Sequence, residues 1–135
     1  MNTKNGRPTA AKVTLLATAA LLAVPAVATP AHAKGGDAVR NSASCASGTI
    51  KVKAKADNGK LEVEGEVDTN RVGQTWNWRI VRDGTVAAKG SKTTAGPSGS
   101  FSVTRRIANP AGQDTIKFRA VRPATGQSCS VKVTL

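Results

Sequence analysis

Residues 49–68 read TIKVKAKADNGKLEVEGEVD, and this stretch decides the fold. Apolar and charged residues alternate in both halves, which is typical of β-strands that bury one face. The two halves are separated by Asn58 and Gly59. This dipeptide is the strongest short hairpin signal, because both central residues of the favoured two-residue turn need a positive φ. The stretch therefore predicts an antiparallel hairpin with Asn58 and Gly59 at its tip.

The predicted hairpin carries opposite charges on its solvent face. With Asn58 and Gly59 at the tip, each lysine of the first strand faces a glutamate of the second, in the pairs Lys51–Glu66, Lys53–Glu64 and Lys55–Glu62. Opposite charges in facing positions stabilise a pair of antiparallel strands. A slip by one residue would turn every charge into the interior, so the register is strongly specified.

The beginning of the chain reads as a secretory signal peptide. Residues 1–12 carry basic residues and no acidic one, and an apolar run follows at 13–27. That run is interrupted by Pro25 and is too short to span a bilayer. Ala31 and Ala33 fit the small-residue rule for cleavage. We therefore expect a Sec-type signal peptide at 1–33, cleavage near Ala33, and a secreted (extracellular) mature chain without an integral membrane segment; an uncleaved membrane anchor is the alternative.

Cleavage would change the chemistry available to the protein. The mature chain would lose three of the 20 lysines and arginines and none of the 8 acidic residues, which leaves a formal charge of +9. It would also lose His32, the single histidine. Cys45 and Cys129 remain, and an even pair of cysteines in an exported chain predicts a disulfide. Two free thiols are the alternative, which the oxidising compartment disfavours.

The mature chain divides into an arm and one domain. Residues 34–44 show no periodicity and are rich in small and polar residues, which predicts a flexible N-terminal arm. Residues 45–135 contain seven short alternating runs with turn residues between them and no helical pattern. A three-residue loop at 82–84 would set Ile80 opposite Val86. A bulge beside Arg105 would bring Ile107 to the interior.

Seven strands in about 90 residues predict an all-β fold, a seven-stranded antiparallel β-sandwich with one disulfide. Trp78 lies in the third strand, and residues 114–118, DTIKF, open the sixth. On these residues the domain at 45–135 resembles immunoglobulin-like and fibronectin type III β-sandwiches, and small exported β-sandwich proteins of bacteria. It departs from antibody domains because it has no tyrosine and because its cysteines lie at the start and in the last strand. The resemblance implies a fold but no particular function.

The mature sequence offers few groups for catalysis. It lacks histidine, the commonest general base, and a disulfide would leave no thiolate nucleophile. Glu62 and Glu64 have a spacing near that of a glycosidase pair. A facing lysine favours the ionised form of each, however, whereas an acid catalyst must hold a proton. We therefore expect a protein that is not an enzyme and that uses no metal and no cofactor.

The two tryptophans have two possible orientations. Trp76 and Trp78 share one side of their strand with Ile80, and Arg79 lies on the other side. This alternation favours the interior for both indole rings. Trp76 is nearer the end of the strand, so the alternative is an exposed Trp76 that stacks on sugar rings and makes the domain a carbohydrate-binding module.

The positive charge of the mature chain is the sequence feature that points to a binding partner. On the strands expected to form the second sheet, the outward residues that bear charge are all basic: Arg79, Lys89, Lys117, Arg119 and Lys132. Such a face would attract polyanions, so we expect an anionic polysaccharide, teichoic acid or another polyanion as partner of a monomeric protein. Sequence-specific nucleic-acid binding would need a recognition helix or exposed aromatic residues, and the sequence predicts neither. The alternative is that the charge only keeps an exported protein soluble.

A secreted protease or hydrolase inhibitor is a further alternative. Residues 92–100, KTTAGPSGS, form a predicted loop that a rigid, disulfide-tied sandwich would present. No cysteine lies in this loop to brace it, which weighs against the preorganisation that inhibitory loops need.

Overall fold

The computed structural model describes residues 36–135. The predicted signal peptide at 1–33 and the first two residues of the predicted arm lie outside the described residues. The described chain forms eight strands: β1 (Val39–Cys45), β2 (Gly48–Asp57), β3 (Lys60–Asp68), β4 (Thr75–Arg82), β5 (Thr85–Thr93), β6 (Ser100–Ala108), β7 (Thr115–Arg122) and β8 (Gln127–Thr134). Within residues 36–135 there is no helix that could cross a bilayer.

The strands form two antiparallel sheets with the core between them. The first sheet has the order β1-β2-β3-β6, and the second has the order β5-β4-β7-β8. Alternate side chains of both sheets meet in one apolar cluster, whose largest fully buried members are Trp76, Trp78, Phe118, Ile50, Leu61, Ile80 and Ile116. The predicted all-β fold with two antiparallel sheets is therefore confirmed.

The hairpin at 49–68 forms β2 and β3 in the predicted register. Asn58 and Gly59 have φ values of 48° and 73°, as a two-residue turn of this kind requires. The Nζ–Oε distances of the facing pairs are 2.8 Å for Lys51–Glu66, 2.7 Å for Lys53–Glu64 and 3.3 Å for Lys55–Glu62. Partly exposed ion pairs contribute only about 0–1 kcal/mol each. The turn and the buried sides of the two strands therefore hold the hairpin, and the charges specify its register.

The described chain has eight strands rather than seven, because β1 forms in the stretch that the sequence predicted as a flexible arm. β1 pairs with β2 along its whole length and ends at Cys45. The side chain of Asn41 on β1 donates from Nδ2 to the backbone carbonyl of Lys132 on β8, at 3.0 Å. An edge strand needs few apolar side chains, because backbone hydrogen bonds to the neighbouring strand supply most of the interaction that holds it. The small and polar residues of β1 therefore leave no alternating apolar pattern in the sequence.

The predicted disulfide joins Cys45 on β1 to Cys129 on β8, with the two Cα atoms 5.4 Å apart. It ties an edge strand of the first sheet to an edge strand of the second. The two cysteines are 84 positions apart in sequence. Closing a loop of that length stabilises the fold by about 4.5 kcal/mol in the chain-entropy account, mainly by restricting the unfolded state.

The connection between β4 and β5 is shorter than predicted. Asp83 and Gly84 alone join the strands, with φ values of 47° and 84°. Two consecutive positive φ values fit a type I′ turn of two residues, so the prediction of a three-residue loop is wrong. The register then shifts beside Ile80, which faces Ala88. Val86 is left exposed instead of facing Ile80 in the core.

β6 runs without the predicted bulge. Its register with β3 is continuous, and Phe101, Val103 and Ile107 all reach the interior by simple alternation. The remaining inward position of this series belongs to Arg105, whose guanidinium lies 5.0 Å from the ring centroid of Trp78. Because β6 is an edge strand, Arg105 can cover the side of the core and keep its charge in solvent.

Candidate polyanion-binding surface

Five exposed basic residues lie on the outer surface of the second sheet, and we call them the cationic face: Arg79, Lys89, Lys117, Arg119 and Lys132. Their outward orientation follows from the burial of their neighbours. Arg79, for example, lies between Trp78 and Ile80, and both of these are buried. Since successive side chains of a strand point to opposite faces, packing the apolar residues inward places the basic residues in solvent.

Three residues of the cationic face form a row across the sheet. Arg79 on β4 lies opposite Lys89 on β5 and opposite Arg119 on β7. Neighbouring strands are about 4.8 Å apart, so this row crosses three strands within about 10 Å. Lys117 on β7 lies opposite Lys132 on β8 and forms a second, parallel row.

The cationic face has no acidic counter-charge among the described residues. Within residues 36–135, no carboxylate oxygen lies within 4.0 Å of the charged nitrogens of these five side chains, and every ion pair involves other basic residues. Arg119 has a polar protein contact, in which its Nε donates to Ser128 Oγ at 3.2 Å. Uncompensated positive charges on one surface add up to a local potential that attracts anions.

The outer surface of the first sheet has a different charge pattern. Its three central lysines face the three glutamates of β3 and are neutralised by them. The hydrogen bond to Glu66 and the charge of that residue raise the pKa of Lys51, because both favour the ammonium form. These three lysines are therefore less free to act on a partner than the five residues of the cationic face.

Arg82 lies at the end of β4 but is held within the protein. Its Nε lies 3.7 Å from Asp114 Oδ1 and 3.9 Å from Asp83 Oδ2, and its guanidinium donates to the carbonyl of Ala108. Asp114 is buried. Burial raises the pKa of Asp114 above its usual range, and the charge of Asp83 raises it further, although Arg82 opposes the shift. Because of these contacts, Arg82 is less available to a partner than the five residues of the cationic face.

A small cleft of about 180 Å³ opens on the cationic face and is lined by Asn77, Arg79, Arg119 and Val121. Asn77 and Val121 face each other beside the two arginines. Neither Asn77 nor Ser128 has a residue type or a spacing that marks it as a site residue in the sequence. Alternation could have placed both outward, but only the neighbouring positions of β4, β7 and β8 put them beside Arg79 and Arg119.

Glu62 and Glu64, the two acidic residues with a spacing near that of a glycosidase pair, form ion pairs on the first sheet. Glu62 Oε1 lies 3.3 Å from the ammonium of Lys55, and Glu64 Oε2 lies 2.7 Å from that of Lys53. Both carboxylates thus belong to the ladder of ion pairs on the outside of β2 and β3. Within residues 36–135, no group of three or more histidine, cysteine, aspartate or glutamate side chains is placed to hold a metal ion.

Trp76 and Trp78 both lie in the core, with 0% and 1% of their surface exposed. The predicted inward orientation of the two indole rings is therefore confirmed. The exposed Trp76 that a sugar-stacking platform requires is not present, because the ring is fully covered.

The loop assigned to a possible inhibitor is shorter than predicted. Lys92 and Thr93 belong to β5, and the loop spans residues 94–99. Its first residue, Thr94, is buried. The backbone N–H of Gln74 donates to Thr94 Oγ1 at 2.9 Å, and Thr94 Oγ1 donates to the carbonyl of Arg71 at 2.6 Å. Hydrogen bonds to the neighbouring loop at 69–74 therefore brace it.

The chain matches no protein-family model, no curated protein and no solved structure.

Proposed function

We propose that this protein is a secreted, non-enzymatic binding module whose cationic face holds an anionic polymer of the cell envelope or its surroundings. The observation that carries the proposal is the grouping of Arg79, Lys89, Lys117, Arg119 and Lys132 on one sheet surface with no carboxylate within 4.0 Å. An anionic polysaccharide, teichoic acid or another polyanion has the chemistry that this surface favours.

The exposure of the five charges favours a polymer over a small anion. A single solvent-exposed ion pair contributes at most about 1 kcal/mol, so one charge on a ligand would be held weakly. A polymer engages several cations together and releases the counter-ions condensed along its chain. For a polyanion as highly charged as a nucleic acid, five contacts would give a slope of log affinity against log salt of about −4.

The proposed fold family is the immunoglobulin-like superfold, and more closely its fibronectin type III branch. β2 to β8 would correspond to the seven strands of that superfold, and β1 would be an addition at the edge of β2. The immunoglobulin constant arrangement places the fourth strand in the sheet that contains the first, second and fifth. In this protein β5, the fourth of those seven, pairs with β4 instead.

Export is part of the proposal. The disulfide between Cys45 and Cys129 supports it, because such bonds persist in oxidising compartments and are rare in the cytosol. The leader at 1–33 would direct this export.

The experiment measures binding of the purified protein to heparin and to poly(glycerol phosphate) at increasing salt concentration. The test variant carries Lys117→Gln and Lys132→Gln. The matched control carries Arg40→Gln and Lys60→Gln, which removes the same charge from exposed positions on the first sheet. We expect the test variant to lose affinity and about 1.5 units of salt slope, and the control to bind like the wild type.

Two outcomes would contradict the proposal. Binding that does not weaken as salt rises would show that charge does not drive it. Equal losses in the test variant and the control would show that net charge matters and its position does not.

An inhibitor of secreted proteases is a second candidate, favoured by the bracing of residues 94–99. Both ends of this loop are tied to residues 69–74, since the N–H of Gly73 donates to the carbonyl of Thr94 at 2.8 Å and that of Thr69 to the carbonyl of Gly99 at 3.1 Å. Such bracing lowers the entropy lost on binding. A panel of secreted serine proteases tests it: inhibition that Pro97→Ala weakens supports the candidate, and the absence of inhibition across the panel removes it.

A further inference from the structure

Arg79 and Arg119 occupy directly facing positions on two central strands of the second sheet. Like charges in facing positions of an antiparallel pair destabilise the sheet. The centre of the first sheet instead pairs opposite charges, as Lys53 and Glu64 show at 2.7 Å. At Arg79 and Arg119 no acidic side chain of the described chain lies within 4.0 Å. The pair is thus an unneutralised repulsion in the middle of a sheet, which a bound anion would relieve.

The surface between the two arginines is concave. The cleft there has a volume of about 180 Å³, with Asn77 and Val121 as its other walls. That is enough space for one small oxyanion together with part of the chain that carries it.

Arg119 is oriented by the protein, since its Nε donates to Ser128 Oγ at 3.2 Å. This contact occupies one of the five N–H groups of a guanidinium and leaves the four on the terminal nitrogens for other acceptors. The two terminal nitrogens form the fork that binds two oxygens of one anion. A fork whose orientation is already restricted loses less entropy when it binds.

We infer that the cleft between Arg79 and Arg119 is a subsite for a sulfate ester or phosphate monoester group carried by the polymer. This inference rests on the proposed function and names the chemical group that the cationic face selects. A carboxylate is planar, so a single guanidinium that lies in the same plane can bind both of its oxygens. A tetrahedral ester group has three terminal oxygens that point in different directions, so two arginines on different strands bind it together. Asn77 adds an amide donor at the wall of the cleft.

The remaining residues of the cationic face have a different role. Lys89, Lys117 and Lys132 present compact ammonium charges on flexible stems, which do not favour one anion geometry over another. They attract any polyanion, and the two arginines distinguish among the groups that it carries.

The experiment uses three polymers with one backbone and matched charge density: dextran sulfate, dextran phosphate and carboxymethyl dextran. Their affinities for the full protein are measured at one fixed salt concentration. The test variant carries Arg79→Lys and Arg119→Lys, which keeps both charges and removes both forks. The matched control carries Lys117→Arg and Lys132→Arg, which keeps the charge of the same surface outside the cleft. Thermal unfolding establishes that each variant is folded.

The wild type should bind dextran sulfate or dextran phosphate about tenfold more tightly than carboxymethyl dextran, which corresponds to 1.4 kcal/mol. The preferred polymer of the two identifies the ester. The test variant should lose this preference and keep its affinity for carboxymethyl dextran, and the control should keep the preference.

Two further outcomes separate the inference from the proposed function. If the wild type binds all three dextrans equally, or if the test variant keeps the wild-type preference, the subsite is overturned while polyanion binding stands. If the wild type binds none of them, both the subsite and the proposed function are overturned.

Discussion

Gly65 on β3 lies against the ring of Phe118 on β7, and no side chain fits between them. A Cβ atom at position 65 would lie 2.5 Å from Cε2 of that ring, well inside van der Waals contact. Phe118 is fully buried, so its ring has little room to withdraw. The absence of a side chain at Gly65 therefore lets an aromatic ring of the second sheet pack directly on the backbone of the first.

Replacing Gly65 with alanine should destabilise the protein by about 1–3 kcal/mol, the usual effect of overpacking a core. Urea unfolding followed by tryptophan fluorescence measures the change. Gly36→Ala is the matched control, because a Cβ atom there meets nothing within 4 Å. Equal stabilities of the two variants would show that Phe118 can move aside.

Replacing both Cys45 and Cys129 with alanine should lower the free energy of unfolding by up to about 4.5 kcal/mol, because the unfolded chain regains its loop entropy. Domains of this size have net stabilities of about 5–15 kcal/mol, so the loss should appear as a large fall in the unfolding midpoint. Reduction of the wild type should produce the same fall. A reduced protein as stable as the oxidised one would contradict the expectation.

Ionisation of Asp114 should lower the free energy of unfolding as pH rises through the acidic range. Its pKa is raised in the folded state by burial and by Asp83, so the folded protein binds a proton more readily than the unfolded chain. The stabilisation is complete below the unfolded pKa and is lost as pH rises through the folded pKa. Asp114→Asn should therefore gain stability relative to the wild type between pH 3.5 and pH 7. Urea unfolding at both pH values measures this difference.

Asp83→Asn provides the control for that dependence. Asparagine suits the positive φ of 47° at this turn position and still offers an oxygen to the N–H of Thr115, which now donates to Asp83 Oδ1 at 2.9 Å. The substitution removes a negative charge beside Asp114, so the pKa of Asp114 should move towards its ordinary value. The dependence of the free energy of unfolding on pH should therefore become smaller. An unchanged dependence would show that Asp83 does not raise the pKa of Asp114.

Arg105→Gln should lower stability by about 0.5–1 kcal/mol through loss of the contact with the Trp78 ring, and it should change the tryptophan emission. Arg106→Gln is the matched control on the same strand. Arg106 points to the other face, where its terminal nitrogen lies 3.2 Å from Asp57 Oδ2. The control should lose a similar small amount of stability without changing the emission. An identical emission spectrum for both variants would contradict the proposed contact.

Local features predicted the parts of the fold that depend on neighbours in the chain. Asn58 and Gly59 specified the turn, and the alternation around them specified the register of Lys53 with Glu64. The same periodicity placed Trp78 inside and Arg79 outside. These predictions succeeded because side-chain orientation in a strand depends only on position, once the turn is known.

Errors arose where a residue type is compatible with two local structures. Asp83 and Gly84 suit both a two-residue and a three-residue hairpin loop, and the bulge beside Ile80 compensates for the difference. Arg105 lies on the same side of β6 as the core residues Phe101 and Ile107, but its charge favoured the prediction of a bulge that would keep it out of the core. Its true place depends on β6 lying at an edge, which no local pattern states.

By itself, the sequence determined which side chains of β2, β3, β4, β7 and β8 are buried and which are exposed, because alternation and turn residues act over a few positions. Outside the hairpins, the tertiary structure alone decided which strands are neighbours, because that order depends on contacts between residues far apart in the chain. It placed Arg79 opposite Arg119, buried Asp114 beside Arg82, and turned residues 39–45 into β1 against the free edge of β2. The sequence predicted the five charges of the cationic face, and the fold brings two of them, Arg79 and Arg119, to one cleft.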